Sequence, residues 1–223
     1  MTILCRTCMP IPFRKIDLSN RSDHYHLRGD DECFYLHDYT PRQGARHSQG
    51  NQFIYNLKKS VLRRDEYDYR YKMGAIRQSI TLLRSAFDLS AGIFNTATFC
   101  AIPPSKLPGH PEYDDRMEKI VAGACHNTAA DVRALVVQNE GYEPTHLQSD
   151  GDRKRPSDFE AIYSLDSAAP KSVVILVDDV LTTGAHFVAA KNIILAQYPN
   201  TRVIGFFLAR RVLPNPFVDT IQL

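Results

Sequence analysis

Residues 173–186 read VVILVDDVLTTGAH: five apolar side chains run into two aspartates and then into Thr-Thr-Gly. The apolar run has the length and branching of a buried strand. TTGAHFVAAKNIILAQY (182–198) reads as a helix and TRVIGFFLA (201–209) as a further strand. Strand, helix and strand in that order make a parallel, right-handed crossover unit, so the chain is α/β. In an open parallel sheet, ligands bind beyond the carboxyl ends of the strands. Asp178 and Asp179 stand at such an end, and Thr182–Gly184 open the helix. A helix N-terminus offers free N–H groups and the positive end of the dipole to a phosphate. Thr182 and Thr183 add hydroxyl donors, and Gly184 lets the backbone approach closely. Two carboxylates suit a vicinal diol or a hydrated magnesium ion. A phosphate beside a sugar diol satisfies both halves. A buried strand ending in a capped helix, with Asp179 or Thr182 as N-cap, accounts for part of the pattern but does not require two acids and Thr-Thr-Gly together.

The remaining sequence sets the frame. The chain has 223 residues, 43% of them hydrophobic, enough for one packed domain with an elaborated end. A net charge of +2, from 27 basic and 25 acidic residues, gives no global argument for nucleic acid or a membrane surface as partner. MTILCRTCMPIPFRK lacks the apolar core of a signal peptide, and no apolar run reaches membrane-spanning length. The cysteines (Cys5, Cys8, Cys33, Cys100 and Cys125) are scattered, without disulfide spacing. The expectation is a reduced, soluble, cytoplasmic protein. Residues 1–50 are polar, with short pieces such as ECFYLHDYT, and read as an N-terminal extension or small subdomain. Residues 51–223 read as the α/β domain. Within it, 51–87 read as helical, with Met73, Ile76, Ile80, Leu83 and Phe87 on one face. FNTATFCAIPPSK (94–106) reads as a strand ended by Pro103-Pro104, YDDRMEKIVAGAC as the next helix and DVRALVVQ as another strand. Residues 142–171 are mostly polar, a length of loop that marks either a functional lid or a disordered segment.

VILVDDVLTTGA resembles the binding motif of the type I phosphoribosyltransferases, and its wording is closest to the ComF-like, amidophosphoribosyltransferase-related members. The resemblance implies that family's parallel-sheet fold with an N-terminal, partly helical extension. It implies that 5-phosphoribosyl 1-diphosphate (PRPP) binds with magnesium. Asp178 and Asp179 would hold the ribose hydroxyls and, through the substrate, the metal. Thr182, Thr183, Gly184, Ala185 and His186 would cradle the 5-phosphate. His186 departs from the usual threonine, being bulkier and titrating near neutrality. IPPSK stands where the family's pyrophosphate loop falls, which gives Ser105 and Lys106 that role. YDDRM also resembles ComF-like relatives, although Asp114, Asp115 and Arg116 read equally as a salt-bridged helix start. The polar segment with Arg153, Lys154 and Arg155 corresponds to the family's mobile catalytic loop, which closes over the diphosphate. Asp178, Asp179, Arg153 and Lys154 form the implied catalytic set.

The implied reaction displaces pyrophosphate at ribose C1 by an acceptor nitrogen, through an oxocarbenium-like transition state that needs no nucleophilic side chain. The acceptor is not legible, because in this family variable terminal segments choose it. A second reading keeps the ligand and drops turnover, making the chain a regulator or effector subunit. A ribose-phosphate diphosphokinase uses a related loop but is longer, with duplicated halves. The N-terminal third offers a surface for a protein partner, and a homodimer follows family habit. NLKKSVLRRDEYDYRYK mixes basic and aromatic residues, but its acids favour a solvated helix face over nucleic acid. Finally, Cys5 and Cys8 form C-x2-C, and Cys33 with His37 forms C-x3-H, a candidate tetrahedral zinc set with His24 and His26 as competing ligands. ComF-like proteins often carry an N-terminal zinc module. Thr2 stands where a related glutamine amidotransferase needs cysteine, so no glutaminase is expected.

Overall fold

The computed structural model describes residues 13–88, 92–142 and 154–213. Its strands are β1 (Arg14–Lys15), β2 (Glu32–Tyr39), β3 (Ala97–Ala101), β4 (Asp131–Val132), β5 (Val136–Gln138), β6 (Tyr163–Leu165), β7 (Val173–Leu181) and β8 (Arg202–Arg211). Its α-helices are α1 (Gln49–Leu57), α2 (Arg70–Asp88), α3 (Ile93–Thr96), α4 (Arg116–Ala124), α5 (Pro156–Glu160) and α6 (Ala185–Gln197). The main sheet has the order β1-β2-β8-β7-β3-β4, parallel throughout except for β1, which runs antiparallel to β2. A small antiparallel sheet joins β5 to β6. The fold is thus α/β, as the sequence requires.

Strand alternation sends side chains to two apolar layers. Val174, Leu176 and Phe207 pack with Phe187 of α6 and Phe159 of α5. Ile175, Val177 and Leu208 pack with Ile54, Leu57, Leu83, Phe87 and Ile120 of α1, α2 and α4. Helices therefore cover both faces, as a buried parallel sheet demands. From β3 the chain passes through α4 to β4 at one edge. From β7 it passes through α6 to β8 in the opposite direction. The carboxyl ends of β3 and β7 consequently flank a topological switch point, where such sheets leave a crevice.

Several boundaries differ from the sequence reading. ECFYLHDYT, assigned to an N-terminal extension, supplies β2, which pairs with β8 from Glu32↔Ile204 to Tyr39↔Arg211 inside the main sheet. Residues 51–87 are not one helix: α1 stops at Leu57, two 3-10 turns follow, and α2 starts at Arg70. Met73 is 39% exposed, and the buried row of α2 runs through Lys72, Ile76, Ser79, Leu83 and Phe87 instead. Lys72 can belong to that row because its ammonium has three acceptors, the Leu57 and Lys59 carbonyls and the Asp114 carboxylate. DVRALVVQ is divided between the two sheets, Arg133 turning aside to pair with Asp131 and Asp166. Among the described residues no helix is long and apolar enough to cross a membrane.

Candidate functional site

β7 extends beyond the apolar run and carries both aspartates to Leu181; α6 begins at Ala185 with Gly184 as its N-cap. Gly184 adopts φ +89°, and a β-carbon there would lie 2.9 Å from Leu27 Cδ2, so backbone conformation and close approach both call for glycine. The segment 24–27 grips the loop from behind. The Nδ1–H of fully buried His24 donates to the Thr182 carbonyl, and the His26 N–H donates to the Thr183 carbonyl at 3.0 Å. With those carbonyls held on one side, no acceptor among the described residues reaches the N–H of Thr183 or Gly184. The Ala185 N–H has a weak local partner, Thr183 Oγ1 at 3.4 Å. Free amides ahead of a 13-residue helix have the geometry of an anion cradle.

The two aspartates point into different layers. Asp179, 5% exposed, faces α1 and α4: Lys58 Nζ lies 3.1 Å from Oδ1, and the Arg116 guanidinium donates to Oδ2. Arg116 also donates to Asp114, which in turn accepts from Lys72. Lys72 is 1% exposed and donates as well to the Leu57 and Lys59 carbonyls at 3.0 and 2.8 Å. Five alternating charges thus run Lys58, Asp179, Arg116, Asp114, Lys72. Burial opposes the Asp179 charge, but Lys58 and Arg116 outweigh it and hold the carboxyl well below the usual range. Burial and then the Asp179 charge push the Asp178 carboxyl in the other direction, well above that range. One Asp178 oxygen accepts the Asp179 N–H at 2.7 Å.

His186 is the second residue of α6. Its Nε2 is 3.1 Å from the Tyr142 hydroxyl, and its ring centroid is 4.0 Å from that of Phe159. Burial, together with the Lys58 and Lys154 charges and against the pull of Asp179, lowers its pKa to about 4, so the imidazole is neutral at pH 7. The same tyrosine ties in the loop after β3, because its N–H donates to the Ser105 carbonyl at 2.9 Å. Lys154 Nζ lies 4.6 Å from the Tyr142 ring centroid, a cation–π contact that draws this lysine to the same corner.

Most of the expected residues therefore converge. Asp178, Asp179, Thr182, Thr183, Gly184, Ala185 and His186 line the β7–α6 junction. Ser105 and Lys106 lie half-buried on the loop beyond β3, the neighbouring strand, and Lys154 reaches the junction through Tyr142. Arg153, Cys5 and Cys8 lie outside the described residues. Cys33 is fully buried in the apolar layer beneath α6, with burial raising its thiol pKa, whereas His37 packs at a tilt against Phe53 of the opposite layer. The two sit four residues apart on one strand, about 13 Å, and are not brought together. Among the described residues no three His, Cys, Asp or Glu side chains cluster for a metal.

The sequence reading missed Lys58, Lys72 and Tyr142, and left Asp114 and Arg116 between a site role and a surface one. Asp115 takes the surface role, pairing with Lys119 at 2.8 Å. For magnesium, the donor set permits a narrow fit. Both Asp179 oxygens are engaged by cations, so among the described residues of the junction the Asp178 carboxylate is the acid without an ion pair. One carboxylate suits a magnesium ion that arrives on a diphosphate and keeps most of its waters. Compared with known proteins, the chain matches no protein-family model and has no significant match among curated proteins.

Proposed function

We propose that the chain is a type I phosphoribosyltransferase, which binds PRPP with magnesium and transfers its phosphoribosyl group to a nitrogen acceptor. The observation that carries this reading is the pairing, at one switch point, of free helix-entry amides with an acid that makes no ion pair among the described residues. The amides of Thr183 and Gly184, with the Thr182 hydroxyl beside them, suit the 5-phosphate. Asp178, one residue past the apolar run, suits the ribose diol or the metal carried by the diphosphate. Ser105, Lys106 and Lys154, on loops around the crevice, suit the leaving diphosphate. In the reaction the C1–O bond breaks and its electron pair leaves on pyrophosphate. The acceptor nitrogen donates the pair for the new C1–N bond, and its proton passes to water. Magnesium, when bound, neutralises the departing diphosphate. The protein's part is positioning and charge complementarity.

One observation favours the alternative of a PRPP-binding regulator without turnover: half of the acidic pair, Asp179, is already committed to Lys58 and Arg116. Pyrophosphate release from PRPP, magnesium and a small-metabolite extract separates the two, with Asp178→Asn as the control. Release that the substitution abolishes supports the transferase. Binding of PRPP without release supports the regulator. Neither binding nor release removes both.

A further inference from the structure

The loop that opens α6 is held from behind by one side chain and one backbone group, each acting on a different peptide unit. The His24 Nδ1–H donates to the Thr182 carbonyl, and the His26 N–H donates to the Thr183 carbonyl at 3.0 Å. A trans peptide unit is planar, with its C=O and N–H pointing in opposite directions, and among the described residues every peptide bond is trans. The Thr182 carbonyl shares its unit with the Thr183 N–H, and the Thr183 carbonyl shares its unit with the Gly184 N–H. Drawing the two carbonyls toward residues 24 and 26 therefore turns both N–H groups to the opposite side of the loop. His26 aims the Gly184 N–H through its backbone. His24 aims the Thr183 N–H through its ring.

His24 is fully buried, and among the described residues its Nε2 has no hydrogen-bond partner. A carbonyl only accepts, so Nδ1 carries the proton and Nε2 is bare in the neutral ring. Burial lowers the pKa against the pull of the Thr182 carbonyl and Asp23, and the Arg210 and Arg211 charges add to the fall, so the ring is neutral at pH 7. An apolar side chain of similar size would avoid the cost of burying Nε2 without a partner. The contact from Nδ1 is what histidine adds here. The turn that carries it, Arg21–His24, is fastened to the end of β8. Arg211 donates to the Asp23 carbonyl at 3.0 Å, and Arg210 lies 3.3 Å from the Asp23 carboxylate. The Arg21 N–H donates to the Asp17 carbonyl at 2.9 Å, and the Leu27 N–H closes on the His24 carbonyl at 2.8 Å.

We propose that His24 is a positioning residue for phosphate binding, its Nδ1–H fixing the Thr182–Thr183 peptide so that the Thr183 N–H faces the anion. The inference rests on the phosphate cradle of the proposed function and does not require turnover. His24 touches no substrate atom and acts through Thr182. Once the Thr182 carbonyl is released, its peptide unit is free to rotate and to present the negative end of its dipole to the anion in place of the N–H. Attraction then becomes repulsion.

Nitrogen-15 NMR of the full chain, titrated with ribose 5-phosphate, tests this. In the wild type the His24 ring should show a protonated Nδ1 and a bare Nε2, and the Thr183 and Gly184 amide resonances should both shift with ligand. His24→Leu, which removes the donor, should weaken ribose 5-phosphate binding by about ten-fold or more. Its Thr183 amide should lose its response, while Gly184, aimed by the His26 backbone, keeps one. His24→Asn places an amide N–H as many bonds from the backbone as Nδ1 and should restore both. His24→Gln, whose amide nitrogen matches Nε2, should not. If His24→Leu fails to fold, the wild-type tautomer and the comparison of Asn with Gln still decide. A bare Nδ1, an Asn variant no better than Gln, equal loss at Thr183 and Gly184, or a wild type that does not bind ribose 5-phosphate would overturn the proposal. Pyrophosphate release from PRPP is read separately in the same proteins. His24-dependent binding without release keeps the positioning role and removes the transferase reading. Release that His24→Leu leaves unchanged keeps the transferase and removes the positioning role.

Discussion

Asp178 and Asp179 are consecutive residues of one strand whose carboxylates meet opposite electrostatic surroundings. Asp179 is held between Lys58 and Arg116, whereas among the described residues no cation lies within 4.0 Å of Asp178. Two acids at one strand end are therefore not equivalent: one is fixed in the framework, and the other makes no ion pair among the described residues.

The first prediction concerns pH. Because the Asp178 carboxyl is raised, the folded chain holds a proton that the unfolded chain releases, so stability falls as pH rises from the ordinary carboxylate range toward the raised value. His186 acts in the reverse sense. Its pKa drops from 6.5 to about 4 on folding, so the unfolded chain binds the extra proton and stability rises with pH across that interval. The two slopes oppose each other. Asp178→Asn should steepen the rise of stability with pH, and His186→Gln should tilt the profile downward relative to the wild type. Urea midpoints measured between about pH 4 and 7 check both signs. Parallel profiles for all three proteins would mean that neither group is perturbed.

The second prediction concerns Lys72. Its three hydrogen bonds join the two carbonyls on either side of Lys58 to Asp114, the partner of Arg116. One buried ammonium thus orients both cations that hold Asp179. Lys72→Met keeps much of the volume but leaves Asp114 half-compensated and two carbonyls without their donor. The expected loss is about 3 kcal/mol in chemical denaturation, together with weaker PRPP binding. A loss below about 1 kcal/mol would show that the carbonyls find other donors.

What the sequence made legible, and what it did not, follows from the range of the interactions. The β7–α6–β8 unit is local: an apolar β-branched run, a glycine and a helix lie within forty consecutive residues, and periodicity alone separates them. The anion cradle is equally local. The charge chain is not, since Lys58, Lys72, Arg116 and Asp179 meet only when α1, α2, α4 and β7 pack together. Lys72 was further hidden by its neighbour, because Met73 is the apolar residue that a periodicity argument selects. Spacing back from Phe87 through Leu83, Ser79 and Ile76 does reach Lys72, but a row containing lysine and serine reads as solvent-facing. β2 escaped notice because Glu32, His37 and Asp38 dilute its apolar content, and only pairing with β8 places it in the sheet.

The third prediction concerns the cradle itself. Gly184→Ala meets both the left-handed backbone and the side chain of Leu27, with an expected cost of about 1–3 kcal/mol. In a Leu27→Ala background the clash is gone and the backbone term remains, so the cost should shrink without vanishing. Thermal denaturation of the four proteins separates the terms. The same substitution should weaken phosphate binding, since the loop amides no longer hold one orientation.

The fourth prediction separates the two aspartates by what each releases. Asp178→Asn removes an acid that makes no ion pair among the described residues, so the fold should be unharmed at neutral pH while magnesium-dependent PRPP binding falls. Asp179→Asn removes the charge between two cations. Arg116 keeps Asp114, and half-exposed Lys58 can turn to water, so the stability loss should be moderate, about 1–3 kcal/mol. The freed positive charge then lies beside the crevice, where it attracts anions. Asp179→Asn should therefore bind inorganic pyrophosphate more tightly than the wild type, even as its hold on ribose weakens. Titrations of pyrophosphate and PRPP into both variants give four affinities. The expected pattern is pyrophosphate binding strengthened only by Asp179→Asn and metal-dependent binding lost in Asp178→Asn. If both substitutions shift the four affinities alike, the aspartates act as one unit, and the division of labour between the two faces of the strand is wrong.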